Sequence, residues 1–342
     1  VRYAFDPELQ PWISMLPELD IRDLPAARSM MALLQSETLF DLPSGITMEA
    51  RTAPGPVGAP DVPLLIFSPA SGSSRPALVY MHGGGFVLGD ADGDKELPAQ
   101  LAAEVGAVVV SVDYRLAPEH PFPAPLEDCY AALLWVADHA AELGVDPGRI
   151  GIGGVSAGGG LAAGVALLVR DRGGPALCFQ VLDVPELDDR LQSPSMRRFT
   201  DTPMWNLPNA VESWKHYLGG HTDGDAVSPY AAPSRATNLA GLPPAYICVC
   251  EFDPLRDEGI AYAQQLVQDG VAAELHLYSG AFHGSGGLVP TAELSRRMRA
   301  ELVDATRRGL AARTPRQALP AATAVASASD GARRNSASPR AT

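Results

Sequence analysis

Residues 151–160 read GIGGVSAGGG, a single serine hydroxyl, Ser156, set among six glycines. Glycine costs backbone entropy wherever it is used, so this density points to a tight turn, a close backbone approach, or both. The apolar run RIGIGG (149–154) before it reads as a strand, and AGGGLAAGVALLVRD after it reads as a helix. Gly154, Ser156 and Gly158 then spell G-x-S-x-G at a strand-turn-helix junction, the setting of a nucleophile elbow. Such a turn lifts the hydroxyl above the sheet edge and points helix N-terminal N–H groups at a developing oxyanion. A glycine-rich phosphate loop or a plain tight turn is the alternative.

A nucleophilic hydroxyl needs a base, and the base needs an orienting acid. Seven histidines compete. His139 sits on an Ala-rich helix and is expected to be exposed, His120 lies between prolines, and His276 is inside a strand. His216 and His221 fall in or near an irregular segment, and His82 opens a glycine loop. His283, in SGAFHGSGG, is in the loop after the last strand, where the base of such an elbow enzyme falls in chain order. For the acid, CEFDPLRDEG offers Glu251, Asp253, Asp257 and Glu258. Asp253 lies just past the end of the strand AYICVC, on the side where ligands bind in parallel sheets. Asp257 and Glu258 fall in the first turn of the next helix, where carboxylates commonly just complement the dipole. The expected triad is Ser156, Asp253 and His283. HGGGF (82–86) follows another strand, and its glycines let two amides turn to the point that the Ala157 N–H faces. Gly84, Gly85 and Ala157 are the expected oxyanion donors, with His82 bracing the loop.

The elements that must hold these groups alternate. Strand-like runs occur at 62–67, 77–82, 107–113, 149–154, 176–183, 245–250 and 273–278, with helical stretches at 95–105, 125–143, 157–172 and 255–269. Continuously apolar strands separated by helices imply a mostly parallel central sheet with helices on both faces. Residues 1–45 read as a helical segment, and 185–240 hold no convincing strand but are rich in Pro and aromatics. An insertion of that length is usually functional. The catalytic domain is expected at 46–313, and the Ala/Ser/Pro-rich tail 314–342 is expected to be disordered.

The net charge of −14 over 342 residues repels phosphate backbones and anionic lipid, so neither nucleic acid nor a membrane is an expected partner. Hydrophobic residues make up 46 %, enough for a sizeable core, yet no uninterrupted apolar run reaches membrane-spanning length. VRYAFDPELQPW shows no basic stretch leading into an apolar one, so no signal peptide is expected. Cys129, Cys178, Cys248 and Cys250 form no C-x-x-C pair. Cys248 and Cys250 share one strand face, where metal ligation is conceivable, but buried reduced thiols are the commoner outcome. A cytoplasmic location fits them, and no metal or other cofactor is expected.

HGGGF, VDYRLAPEHPFPAPLEDCYAAL (112–133), GGVSAGG, DPLRDEG and FHGS, in this order, resemble the bacterial hormone-sensitive-lipase-like esterases over roughly residues 60–285. VPELDDR (184–190), DTPMWNLPNA (201–210) and SWKHYLGG (213–220) resemble the bacterial heroin-esterase branch. The resemblance implies an α/β-hydrolase fold, a helical cap built from the N-terminus plus the 185–240 insertion, and a serine carboxylesterase acting on short acyl esters through an acyl-enzyme. The implied partner is a small-molecule ester, and a homodimer is left open. A non-catalytic small-molecule receptor on the same fold, or a lipase or amidase, is the alternative; the complete triad argues against the receptor. Trp12, Met204, Trp205 and Trp214 are candidate substrate-binding residues, with cap-core packing as the competing reading. One position departs from the family, which usually has Asp before the nucleophile where this chain has Val155. Its side chain is expected to face away from the Ser156 hydroxyl and to pack the back of the elbow.

Overall fold

The computed structural model describes residues 3–37, 40–220 and 226–312. Eight strands form one sheet: β1 Ile46–Ala53, β2 Val62–Pro69, β3 Arg75–Met81, β4 Val108–Val112, β5 Val145–Val155, β6 Phe179–Asp183, β7 Ala245–Phe252 and β8 Ala273–Phe282. Their order is β1-β2-β4-β3-β5-β6-β7-β8. β1 and β2 pair antiparallel, β2 runs antiparallel to β4, and every pairing from β4 to β8 is parallel. Seven of these strands stand where apolar runs predict them. β1 does not announce itself, because only its end residues Ile46 and Ala53 are buried and the six between are exposed on the sheet edge.

Ten helices accompany the sheet among the described residues: α1 Gln10–Ile13, α2 Leu24–Glu37, α3 Glu96–Val105, α4 Ala124–Asp138, α5 Ala157–Arg172, α6 Pro194–Arg198, α7 Leu207–Tyr217, α8 Arg256–Gln268, α9 Ser285–Leu288 and α10 Glu293–Ala311. On one face Leu126 and Leu133 of α4, the length of α5 and Tyr262 of α8 pack against Val79, Val110 and Ile152. On the other, Leu97 and Leu101 of α3 and Met298 and Leu302 of α10 pack against Leu78, Val109 and Val181. The strands are thus apolar on both sides, which is why they read as unbroken hydrophobic runs. No helix among the described residues is long and apolar enough to cross a membrane.

A third, smaller cluster lies over the strands' C-terminal ends. Ile21, Leu24 and Ala27 from the N-terminal segment meet Met196, Trp205 and Ala210 from the 185–240 stretch, and both meet Val87 and Leu88. Buried Asn209 stitches them: its Oδ1 accepts the Ile21 N–H at 3.2 Å and its Nδ2 donates to the Leu19 carbonyl at 2.8 Å. The tail at 314–342, and His221, lie outside the described residues.

Candidate active site

At the end of β5 the chain turns back into α5 through Ser156, which sits at φ 58°, ψ −121°. A non-glycine residue here is strained by about 1–3 kcal/mol and persists only where its surroundings over-determine it. The flanking glycines supply that enclosure. A Cβ on Gly158 would stand 2.1 Å from the Met81 carbonyl oxygen, and one on Gly154 would stand 2.5 Å from the Gly158 carbonyl. Helix start and strand touch backbone to backbone, so no side chain fits between them.

Across from the serine, His283 follows β8. Its Nε2 is 2.9 Å from Ser156 Oγ, and its Nδ1 is 2.7 Å from Asp253 Oδ2. Asp253 Oδ1 accepts the Leu255 N–H at 2.8 Å, so both carboxylate oxygens are engaged. All three side chains are buried. The other carboxylates of CEFDPLRDEG are committed elsewhere. Glu251 accepts from the Gly280 N–H, Asp257 from the Ser195 N–H and Arg256, and Glu258 from the Leu187 N–H. His120, His139, His216 and His276 are not at the site. His139 is half-buried and stacked on Trp135, not exposed as its helix position suggests, and His276 lies between Glu274 and Glu301.

The HGGGF loop crosses beside the elbow. Gly84 and Gly85 have φ 123° and 57°; a Cβ on Gly84 would lie 2.1 Å from the Leu88 carbonyl oxygen and one on Gly85 2.4 Å from Trp205. The amides of Gly84, Gly85 and Ala157 enter no backbone hydrogen bond among the described residues. His82 is buried, stacked on Tyr114 at 4.2 Å, with Nδ1 2.8 Å from the Gly83 carbonyl oxygen. A carbonyl only accepts, so Nδ1 carries the proton. Burial lowers the pKa of this ring and keeps it neutral. The Tyr114 hydroxyl donates to the His82 carbonyl at 2.8 Å, a brace that its place just after β4 did not advertise.

A cavity of about 260 Å³ opens over Ser156 and His283, walled by the glycine loop, Leu19, Met31, Met204, Trp205 and Leu288. A second, of about 640 Å³, adjoins it and shares Met31, Asp94, Val155, Met204 and Leu288. Of the four candidate binding residues, the structure brings Met204 and Trp205 to the site. Trp205 is buried with its ring 6.0 Å from that of His283. Trp12 lines neither cavity and is 40 % exposed on α1. Trp214 is core: it is fully buried against Phe86 and Tyr217, on the α7 face turned toward the sheet. Val155 packs partly buried against the core, and it borders cavity space as well. Successive strand residues face opposite sides, and Gly154 faces α5, so Val155 points to the other side and lines both cavities.

Two half-buried carboxylates border the larger cavity, and neither was singled out from sequence. Burial raises the Asp94 pKa to about 7, with the Tyr80 hydroxyl donating to it at 3.1 Å. Burial likewise raises that of Asp183, whose Oδ1 accepts from the Cys248 thiol at 2.7 Å. All four cysteines are buried and unpaired, their thiols pushed up by burial.

A parallel sheet flanked by helices, with a glycine-walled serine at a strand end, defines an α/β hydrolase. The family model described as the alpha/beta hydrolase fold matches residues 78–286, and the chain belongs to that family, in its hormone-sensitive-lipase-like group of esterases. It is 43 % identical to the esterase LipI of Mycobacterium tuberculosis over 243 residues, covering 70 % of this chain and 72 % of the relative. It is 41 % identical to the carboxylesterase NlhH of the same species over 288 residues, covering 82 % and 86 %. Among solved structures it resembles a bacterial heroin esterase, with a TM-score of 0.86 and 50 % identity over 90 % of this chain and 98 % of that one. The chain is a carboxylic ester hydrolase.

Proposed function

We propose that this enzyme cleaves short-chain acyl esters through a Ser156–His283–Asp253 triad and an acyl-enzyme. The observation that carries the reading is the unbroken chain of contacts, 2.9 Å from Ser156 Oγ to His283 Nε2 and 2.7 Å from His283 Nδ1 to Asp253 Oδ2. An ionised Asp253 only accepts, so it holds the proton on Nδ1 and leaves the Nε2 lone pair facing the serine hydroxyl. Ser156 Oγ attacks the ester carbonyl as His283 takes its proton. The tetrahedral oxyanion settles among the Gly84, Gly85 and Ala157 amides. Asp253 steadies the imidazolium, which then protonates the departing alkoxide. Water attacks the acyl-enzyme by the same route in reverse, with His283 as base. Each oxyanion donor is worth about 3–4 kcal/mol in the transition state.

We assign the acyl chain to the cavity directly over Ser156, about 260 Å³ and roofed by Leu19, Met204 and Trp205, rather than to the adjoining 640 Å³ space, and short chains suit that volume. The described parts of 1–45 and 185–240 form this roof, and we assign them as the cap over a catalytic domain spanning 46–313. A panel of p-nitrophenyl esters from acetyl to palmitoyl tests the reading beside Ser156→Ala. The expected kcat/KM peaks between acetyl and hexanoyl, and Ser156→Ala loses at least about a thousandfold in kcat while folded. Preference for palmitoyl would overturn the acyl-length assignment, and an active Ser156→Ala would overturn the triad.

A further inference from the structure

Behind the glycine loop, two acceptors converge on one proton. Ser213 on α7 is fully buried, and its Oγ lies 2.9 Å from the Gly85 carbonyl oxygen and 3.1 Å from Glu186 Oε1. A serine hydroxyl has a single hydrogen to donate. Were Glu186 ionised, one of these two contacts would set acceptor against acceptor. With Glu186 protonated, both contacts are hydrogen bonds: the Glu186 carboxyl donates to Ser213 Oγ, and the Ser213 hydroxyl donates to the Gly85 carbonyl.

The surroundings favour the neutral acid independently. Glu186 is fully buried, and its Oε2 has no hydrogen-bond partner among the described residues. The titratable groups facing it are Asp253 after β7, Glu258 on α8 and Tyr217 on α7, none of them a cation. An unpaired carboxylate in such a place is costly, whereas a neutral carboxyl is tolerated. Burial accordingly raises the Glu186 pKa to about 8. The residue also holds the elbow: its N–H donates to the Ser156 carbonyl at 3.0 Å, and a Cβ on Gly160 would come within 2.1 Å of its carbonyl oxygen.

We infer that Glu186, in its protonated form, is a positioning residue for the ester hydrolysis, clamping the Gly85 carbonyl through Ser213 and so fixing the oxyanion loop against the Ser156 elbow. The inference rests on the oxyanion role proposed above for Gly85. Ionisation of Glu186 withdraws the donor from the clamp. The Ser213 hydroxyl then turns to the carboxylate, and the Gly85 carbonyl is released. Glutamine retains an N–H donor at this place and does not ionise.

The test is kcat and KM for a short-chain p-nitrophenyl ester across the pH range in wild type, Glu186→Gln, Glu186→Leu, Ser213→Ala and Ser156→Ala. Wild-type kcat is expected to fall above about pH 8, with KM little changed. Glu186→Gln should keep neutral-pH kcat within about threefold and lose the alkaline fall, since a positioned neutral donor suffices. Ser213→Ala and Glu186→Leu should lose about tenfold to a hundredfold in kcat at unchanged KM. If Glu186→Leu does not fold, Gln and Ser213→Ala carry the comparison. An alkaline limb absent from wild type, an alkaline limb unchanged in Glu186→Gln, or wild-type kcat in Ser213→Ala overturns the clamp. Ser156→Ala separates the two levels: if it is inactive while the clamp variants behave as wild type, the positioning role fails and the triad stands; if it is active, the triad fails.

Discussion

Replacing Val155 by Asp writes the family's usual residue back into the elbow, and the structure says it should do harm. Val155 is half-buried and lines both cavities, packed with Met204 and the α10 face of the core. Removing it forfeits part of a valine's burial, about 1 kcal/mol for a half-buried side chain. The new carboxylate would stand beside Asp183, its ladder partner on β6, and on the same cavity wall as Asp94. Those two carboxyls already have raised pKa values from burial. A third acid among them is expected to rise by about two units, worth about 2.7 kcal/mol when the pH is well above its new value. The sign follows from proton counting. The folded state holds the proton that the unfolded state gives up near pH 4, so stability falls as pH rises through the gap. Val155→Asp should therefore be about 3–4 kcal/mol less stable than wild type at pH 8, with the deficit reduced to about two-thirds of that at pH 5. Its kcat should fall as the elbow shifts toward water. Urea unfolding at the two pH values, with kcat beside it, decides the matter. A variant as stable and as active as wild type at pH 8 would refute the reasoning and mean that donors for a carboxylate already stand at this wall.

Four other outcomes follow from the same contacts. Gly158→Ala must push a Cβ toward the Met81 and His82 carbonyl oxygens, 2.1 and 2.4 Å away, and should cost about 3 kcal/mol or more with loss of kcat; an unchanged melting temperature contradicts this. Asp253→Asn should lower kcat about ten-thousandfold at neutral pH, while Asp257→Asn, whose carboxylate holds Ser195 and Arg256, stays within a few-fold; equal losses would reverse the assignment of the acid. Glu186 titrates near 8 folded against 4.5 in the unfolded chain, so wild-type stability should decline with pH across that window, by about 3 kcal/mol at pH 7, and Glu186→Gln should flatten the decline; a parallel pH–stability curve for the two proteins refutes it. Trp12→Ala should leave the acyl-chain profile unchanged, whereas Trp205→Ala should broaden it toward longer chains; the reverse pattern would place the acyl site at α1.

What could be read from the sequence was whatever one local stretch dictates. The strand-turn-helix around Ser156 and the glycines of 82–86 are legible because backbone crowding there forbids side chains. Asp253 and His283 are legible because each follows directly on a strand end. β1 was hidden because an exposed edge strand lacks the apolar run that marks a buried one. Trp214 and Trp12 could not be told from Trp205, since aromatic residues serve cores and pockets alike and only the packing of α1 and α7 on the rest of the chain separates them. That Val155 also borders the cavities is not legible, because this depends on which sheet face adjoins them. Glu186, Ser213 and Asp94 acquire meaning only through partners far along the chain, such as Ser213 and Gly85, which stand 128 positions apart.

The central claim is that one hydroxyl, Ser156 Oγ, becomes covalently acylated. Its most direct test is intact-mass and peptide mapping after treatment with a fluorophosphonate, which mimics the tetrahedral intermediate and stays bound to the nucleophile. One adduct per chain, on the peptide carrying Ser156, with activity lost in proportion and no labelling of Ser156→Ala, is the expected result. Labelling at another residue with Ser156 unmodified, or loss of activity without an adduct on Ser156, would contradict it.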